Sequence, residues 1–194
     1  MHDVLCEGGT IRKIWSGEAD QYRDHLLRLD PASRRSRFAG AVSDDFLRIY
    51  AAGLFGPGNV VHGFFADGIL RGAVELRRAD SILTDAGSEA EAAFTVEAEW
   101  QSNGVGSALL ERTLLAARNR GVKRIKMACL RDNRRMQQLA RKFAAEISFD
   151  FGGVIGAVKA PRPTPLSLMR ELAADSNGWV TTMLDAQSRL LKAT

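Results

Sequence analysis

The sequence predicts an α/β (α+β) fold, one main domain with a sheet flanked by helices, and three observations carry that reading. Strand-like and helix-like periodicities alternate along most of the chain. An Asp67-Gly68 pair separates two apolar runs, and the turn Gln101-Ser102-Asn103-Gly104-Val105-Gly106 leads from a strand straight into a long amphipathic segment.

Taken in order, residues 9–15 read as a first strand, with Ile11 and Ile14 set among polar residues, and Asp20 opens a helix toward Leu29. Asp30-Pro31 is an N-cap followed by proline at the first helical position, and Ser43 with Asp44 and Asp45 starts another helix before Phe46, Leu47, Ile49 and Tyr50. Glycines 53, 56 and 58 with Pro57 mark a loop. Residues 60–65 and 69–76 are then the arms of a hairpin, because Asp-Gly supplies the positive φ angles of a type I′ turn.

A polar connection covers 79–88, and 90–98 is a further strand. The helix expected over 105–120 turns Leu109, Leu110, Leu114 and Ala117 to one side, leaves Glu111, Arg112 and Arg120 for water, and stops at Gly121. Residues 122–130 read as a buried strand with Cys129 as a small apolar filler, 133–145 as a helix presenting Met136, Leu139, Ala140 and Phe143, and 147–158 as one or two strands. Pro161, Pro163 and Pro165 stiffen a link that bounds a domain over 1–160. Beyond it, 166–174 and 179–191 look like two helices separated by Ser176-Asn177-Gly178, a packing or homodimerisation element.

Composition narrows the function. With 194 residues, 45% of them hydrophobic, the chain can bury a sizeable core without disulfides or metals. Only Cys6, Cys129 and three histidines are available, with no metal-ligand spacing, so no metal is expected. No stretch approaches the roughly 20 apolar residues of a membrane span, and a soluble cytoplasmic protein is expected. The balance of 27 basic and 23 acidic residues is mild for a nucleic-acid binder. Between 112 and 142, however, eleven Lys or Arg stand against the single acid Asp132, an excess suited to an anionic small ligand. It lacks interleaved aromatics for base stacking, so nucleic acid is the lesser reading.

Glycines after a strand let the backbone turn tightly and approach a ligand closely, and the helix N-terminus that follows offers free N–H groups and a positive dipole end to phosphate. A Rossmann site would need a third glycine and an acidic residue about 20 positions on, and the region there is basic. Instead, Gln101-x-x-Gly104-x-Gly106, preceded by Glu91-Ala92-Ala93-Phe94-Thr95-Val96 and followed by Leu109-Leu110, resembles motif A of the GNAT acetyltransferase superfamily. Asn133-Arg134-Arg135-Met136 with Leu139 and Lys142 is similar to its motif B. The resemblance covers about residues 9 to 158.

It implies a mixed, mostly antiparallel sheet splayed between strands four and five, with the pantetheine arm of acetyl-CoA in the opening. It implies that Gln101, Ser102, Asn103, Gly104, Val105, Gly106 and Ser107 cradle the pyrophosphate. The Val96 amide would meet the thioester carbonyl, and Asn133 would bond the pantetheine or phosphate region. Acetyl transfer to an amine requires the amine neutral, since an ammonium near pKa 10.4 has no lone pair. Strand alternation places Glu89, Glu91, Ala93, Thr95 and Glu97 on one face, and Glu91 lies where protein-lysine-acetylating GNATs keep their glutamate base. The family's usual motif B tyrosine, the acid for the departing thiolate, is replaced by Ala140, and Ala144-Ala145 stands where Gly-Phe is usual. The acceptor is a protein lysine or a small amine, approaching the early helices, where Asp44 and Asp45 could attract it or serve as cap residues. The alternative is a catalytically weak acyl-CoA sensor.

Overall fold

The computed structural model describes residues 9–78, 89–150 and 153–192; the expected connection over 79–88 lies outside them. Among the described residues seven strands form one sheet: β1 (Thr10–Ile14), β2 (Val60–Ala66), β3 (Ile69–Arg78), β4 (Glu89–Val96), β5 (Arg124–Cys129), β6 (Glu146–Asp150) and β7 (Gly153–Lys159). Their order is β1-β2-β3-β4-β5-β7-β6, and every neighbouring pair is antiparallel except β4 and β5. The helices are α1 (Ala19–Arg28), α2 (Pro31–Phe38), α3 (Asp44–Gly53), α4 (Val105–Asn119), α5 (Arg134–Lys142) and α6 (Pro165–Lys192).

The local signals act as read. Asp30 caps α2 by accepting from the Ser33 amide, Ser43 caps α3 by accepting from the Phe46 amide, and Asp67 and Gly68 both have positive φ between β2 and β3. The two faces of the sheet build two cores. Ala90 and Ala92 of β4 pack with Leu109, Leu110 and Ala117 of α4, while Ile14, Val61 and Ala73 pack with Tyr22 and Leu26 of α1 and Leu47 of α3.

The feature that positions the site is the end of the β4–β5 ladder. Its pairs are Glu89 with Arg124, Ala90 with Ile125 and Glu91 with Lys126. β4 continues to Val96 and β5 to Cys129, so the strands part beyond Glu91 and the sheet splays as expected.

The pair of strands expected over 147–158 is β6 and β7, which run antiparallel. Three expectations are corrected. β5 is buried on one face only, through Ile125 and Met127, and Cys129 is half-buried. The tail is one continuous helix, because Gly178 is a packing glycine: a Cβ there would come within 2.7 Å of the Arg12 Cβ. Arg112 does not face water but is buried against α6, ion-paired with Asp175, while Arg120 pairs with Glu171 of the same helix.

Candidate active site

Helix α4 begins at Gly104, whose φ of +81° is strained for any residue with a Cβ. No side chain caps this end, and the Ala108 amide is bonded to the Gly104 carbonyl at 3.1 Å. The amides of Val105, Gly106 and Ser107 therefore precede the first helical hydrogen bond and carry the positive end of a 15-residue helix.

Val96 presents its backbone to the same place. The Glu97 amide donates to the Arg71 carbonyl at 2.9 Å, and Gly72 faces Val96 across the ladder. In an antiparallel pair alternate residues bond the same neighbour, so the Val96 N–H and C=O point away from β3 into the gap beside β5. There the Val96 carbonyl accepts from Gln101 Nε2 at 2.8 Å. The same amide nitrogen donates to Ser33 Oγ at 3.0 Å, and Gln101 Oε1 accepts from Arg135 at 2.6 Å. Gln101 thus ties α2, β4 and α5 around the opening.

These groups surround a cleft of about 660 Å³. Of the predicted residues, Val96, Gln101, Ser102, Gly104, Gly106, Ser107 and Asn133 line it. Val105 is in the core below it, and Asn103 is exposed, its side chain donating to the Glu99 carbonyl. Asn133 caps α5 by accepting from the Met136 amide at 3.1 Å. Glu91 is exposed and lines a second cavity, of about 460 Å³, with Ala93, Cys129 and the end of α2. The two cavities share Ser36, Arg37, Phe94, Asn133 and Met136, so they meet at the splay. Burial pushes the Cys129 thiol pKa up, away from the reactive thiolate. Asp44 and Asp45 are paired with Arg34 and Arg48.

Part of the basic run is used elsewhere. Arg124 and Lys126 pair with Glu89, and Arg112 and Arg120 with α6. Arg135 and Lys142 line the cleft, and Lys142 donates to Ser107 Oγ at 3.0 Å beside the free end of α4. Uncapped amides and two cations in one cleft with the backbone of Val96 fit a phosphorylated pantetheine thioester.

Two buried networks escaped the sequence reading. Glu75 of β3 is 1% exposed and accepts from Tyr22, from Tyr50 at 2.6 Å and from Arg37 at 3.0 Å, with Arg77 as a further partner. Burial and the Glu75 charge raise the Tyr22 and Tyr50 pKa values, so both stay protonated. Glu97 is the centre of the other: His25 lies 3.2 Å, Arg28 2.9 Å and Arg71 2.9 Å from its carboxylate. Burial works to raise the Glu97 pKa, but hydrogen bonds from His25 and Arg71 and the Arg28 charge outweigh it and lower it to about 2. Alternation alone pointed to Glu97; its partners are distant in sequence and had no local signal.

Among the described residues, no helix is long and apolar enough to cross a membrane, and no group of three or more His, Cys, Asp or Glu could hold a metal ion. A splayed sheet with a phosphate-ready helix start at the gap defines an acyl-CoA-dependent acyltransferase. Residues 19–145 match the model of the acetyltransferase (GNAT) family, and the chain belongs to that family. Its fold is similar to that of the GNAT domain of S. lividans PAT, with a TM-score of 0.67 and 23% identity over 78% of this chain and 90% of that one. It is also similar to yncA from Salmonella typhimurium, solved with its cofactor acetyl-CoA (TM-score 0.61, 16% identity, 81% and 97% covered). The paia N-acetyltransferase from Thermoplasma acidophilum, in complex with coenzyme A, has a TM-score of 0.56 at 18% identity, with 78% and 99% covered.

Proposed function

We propose that the protein is an N-acetyltransferase that moves the acetyl group of acetyl-CoA to a primary amine by direct attack. The observation that carries this reading is the meeting of two cavities at the splay, one lined by the α4 start and Val96, the other by Glu91. Acetyl-CoA lies along β4 with its phosphates at the amides of Val105 to Ser107 and its thioester carbonyl at the Val96 amide, which stabilises the tetrahedral oxyanion. The amine enters over the second cavity, where Glu91 takes a proton from the incoming ammonium and passes it to solvent. Glu91 is exposed at this cavity, beside the end of α2, which supports a lysine presented on a protein over a small amine wholly enclosed.

The test is CoA release with acetyl-CoA over a panel of amines and lysine peptides, beside calorimetric binding. Acetyl-CoA binding with acceptor-dependent release is expected. Binding without release for any acceptor would make the protein an acyl-CoA sensor instead. Glu91→Gln is expected to lower kcat/KM about 100-fold near neutral pH, with partial recovery at high pH where the acceptor deprotonates unaided. An unchanged pH profile would remove Glu91 from the mechanism.

We also infer that α6 mediates homodimerisation. Its domain-facing side carries Ser167, Glu171 and Gly178, all buried, whereas Leu166, Met169, Leu172, Val180 and Met183 are exposed. A helix that turns its polar side inward and an apolar stripe outward is suited to a second copy of itself.

A further inference from the structure

Ala140, at the position of the motif B tyrosine, is buried and has no proton to give. The opposite side of the cleft contains a chain of three hydrogen-bonded side chains. Thr95, on the Glu91 face of β4 and immediately before Val96, lines the cleft. Its Oγ1 lies 2.9 Å from His25 Nε2, and His25 Nδ1 lies 3.2 Å from Glu97 Oε1.

The hydrogen positions follow from the partners. An ionised carboxylate only accepts, so His25 Nδ1 bears a proton toward Glu97, leaving the Nε2 lone pair to accept from the Thr95 hydroxyl. Burial depresses the His25 pKa, keeping the ring neutral, and Arg28 and Arg71 hold Glu97 ionised. The Thr95 oxygen keeps its own lone pairs, and Thr95 lines the same cleft as its neighbour Val96. The groups that face His25 are Glu97, the Arg28 guanidinium, the Leu70 carbonyl and the Tyr22 ring.

We propose that Thr95, His25 and Glu97 form a proton relay that carries the proton from the attacking nitrogen to the departing thiolate. The inference rests on the acetyl-transfer reading above. Once the neutral amine has formed the C–N bond, its nitrogen is cationic and the former carbonyl oxygen anionic. The nitrogen gives a proton to Thr95 Oγ1 while the Thr95 hydroxyl proton moves to His25 Nε2, and Glu97 stabilises the resulting imidazolium. As the C–S bond breaks, Thr95 gives a proton to the thiolate sulfur and regains one from His25. The enzyme ends as it began, with the amide and CoA thiol as products. Thr95 is the catalytic residue, His25 acts through it, and Glu97 is a positioning residue. Glu91 has the separate, earlier task of neutralising the incoming ammonium.

The test compares wild type with Thr95→Val, which keeps the branched shape, and Thr95→Ser, which restores the hydroxyl. The readouts are acetyl-CoA affinity by calorimetry, kcat with the best acceptor, and rate in mixtures of H₂O and D₂O. Thr95→Val is expected to stay folded with a thermal midpoint lowered by several degrees, because buried His25 Nε2 loses its donor, to retain the acetyl-CoA Kd and to lose about 100-fold in kcat. Thr95→Ser should recover to within several-fold. The wild-type rate should bend downward with D₂O fraction, as two protons moving together require, and the valine variant should lose that curvature. If the wild type turns over and Thr95→Val keeps kcat within about threefold, or serine fails to rescue it, the relay is wrong and the acetyl-transfer reading stands. A wild type that transfers to no amine overturns both.

Discussion

At the residue scale, the position of β4 side chains was legible while their partners were not. Alternation along 89–97 separates Ala90 and Ala92, buried against α4, from Glu91 and Thr95 on the other face. That Thr95 meets His25, or that Glu97 meets Arg28 and Arg71, depends on contacts 26 to 72 residues apart in sequence. Glu97 yields a pH-dependent stability. Its folded pKa of about 2 lies below the ordinary 4.5, so the unfolded chain binds more protons between those values and stability falls as pH drops through that window. The contribution above pH 4.5 is on the order of 2 to 3 kcal/mol. Glu97→Gln should therefore unfold more easily than wild type at pH 7, with the gap narrowing as pH falls from about 4.5 toward about 2 in chemical denaturation curves. A gap constant over that range would mean that the carboxylate contributes nothing through its charge.

At the element scale, caps and turns were read from single residues because each acts within one turn of helix. Asp30, Ser43 and Gly104 are examples, and the structure uses each as its residue type requires. Asn133 is different: the resemblance implied a ligand contact, and the structure also gives its side chain the capping of α5. The two roles separate experimentally. Asn133→Ser keeps a capping oxygen and should retain stability, whereas Asn133→Ala should lose about 1 kcal/mol. If Asn133 also holds CoA, both variants weaken acetyl-CoA binding; if capping is its whole role, serine binds as wild type. Gly104→Ala should cost about 1 to 2 kcal/mol through its left-handed φ and also weaken acetyl-CoA binding, as the α4 amides shift. These outcomes are read from thermal midpoints and calorimetric Kd.

At the scale of the whole molecule, the tail departs most from its sequence pattern. Ser176-Asn177-Gly178 has the composition of a break, yet the helix continues because Gly178 rests on Arg12 of β1. Buried Arg112 and the pairs to Asp175 and Glu171 hold α6 to α4, so the inward face is polar and the apolar stripe is turned outward. If that stripe is a self-contact, light scattering should give twice the chain mass for wild type and the chain mass for Leu172→Arg combined with Met169→Arg. An unchanged mass in the double variant would exclude α6 as the contact, and a monomeric wild type would exclude the dimer.

By itself the sequence determined the succession of elements as far as the proline link, the Asp67-Gly68 hairpin, the glycine start of α4 and the resemblance that named the family, because these depend on periodicity, backbone preference and short spacing. Only the tertiary structure decided which charges are buried and which chains of hydrogen bonds close. The residue at which β4 and β5 part, the Glu97 cluster under α1, and the outward apolar side of α6 arise when distant segments pack. A burial preference that holds for a residue on average cannot say which opposite charge will be waiting for it.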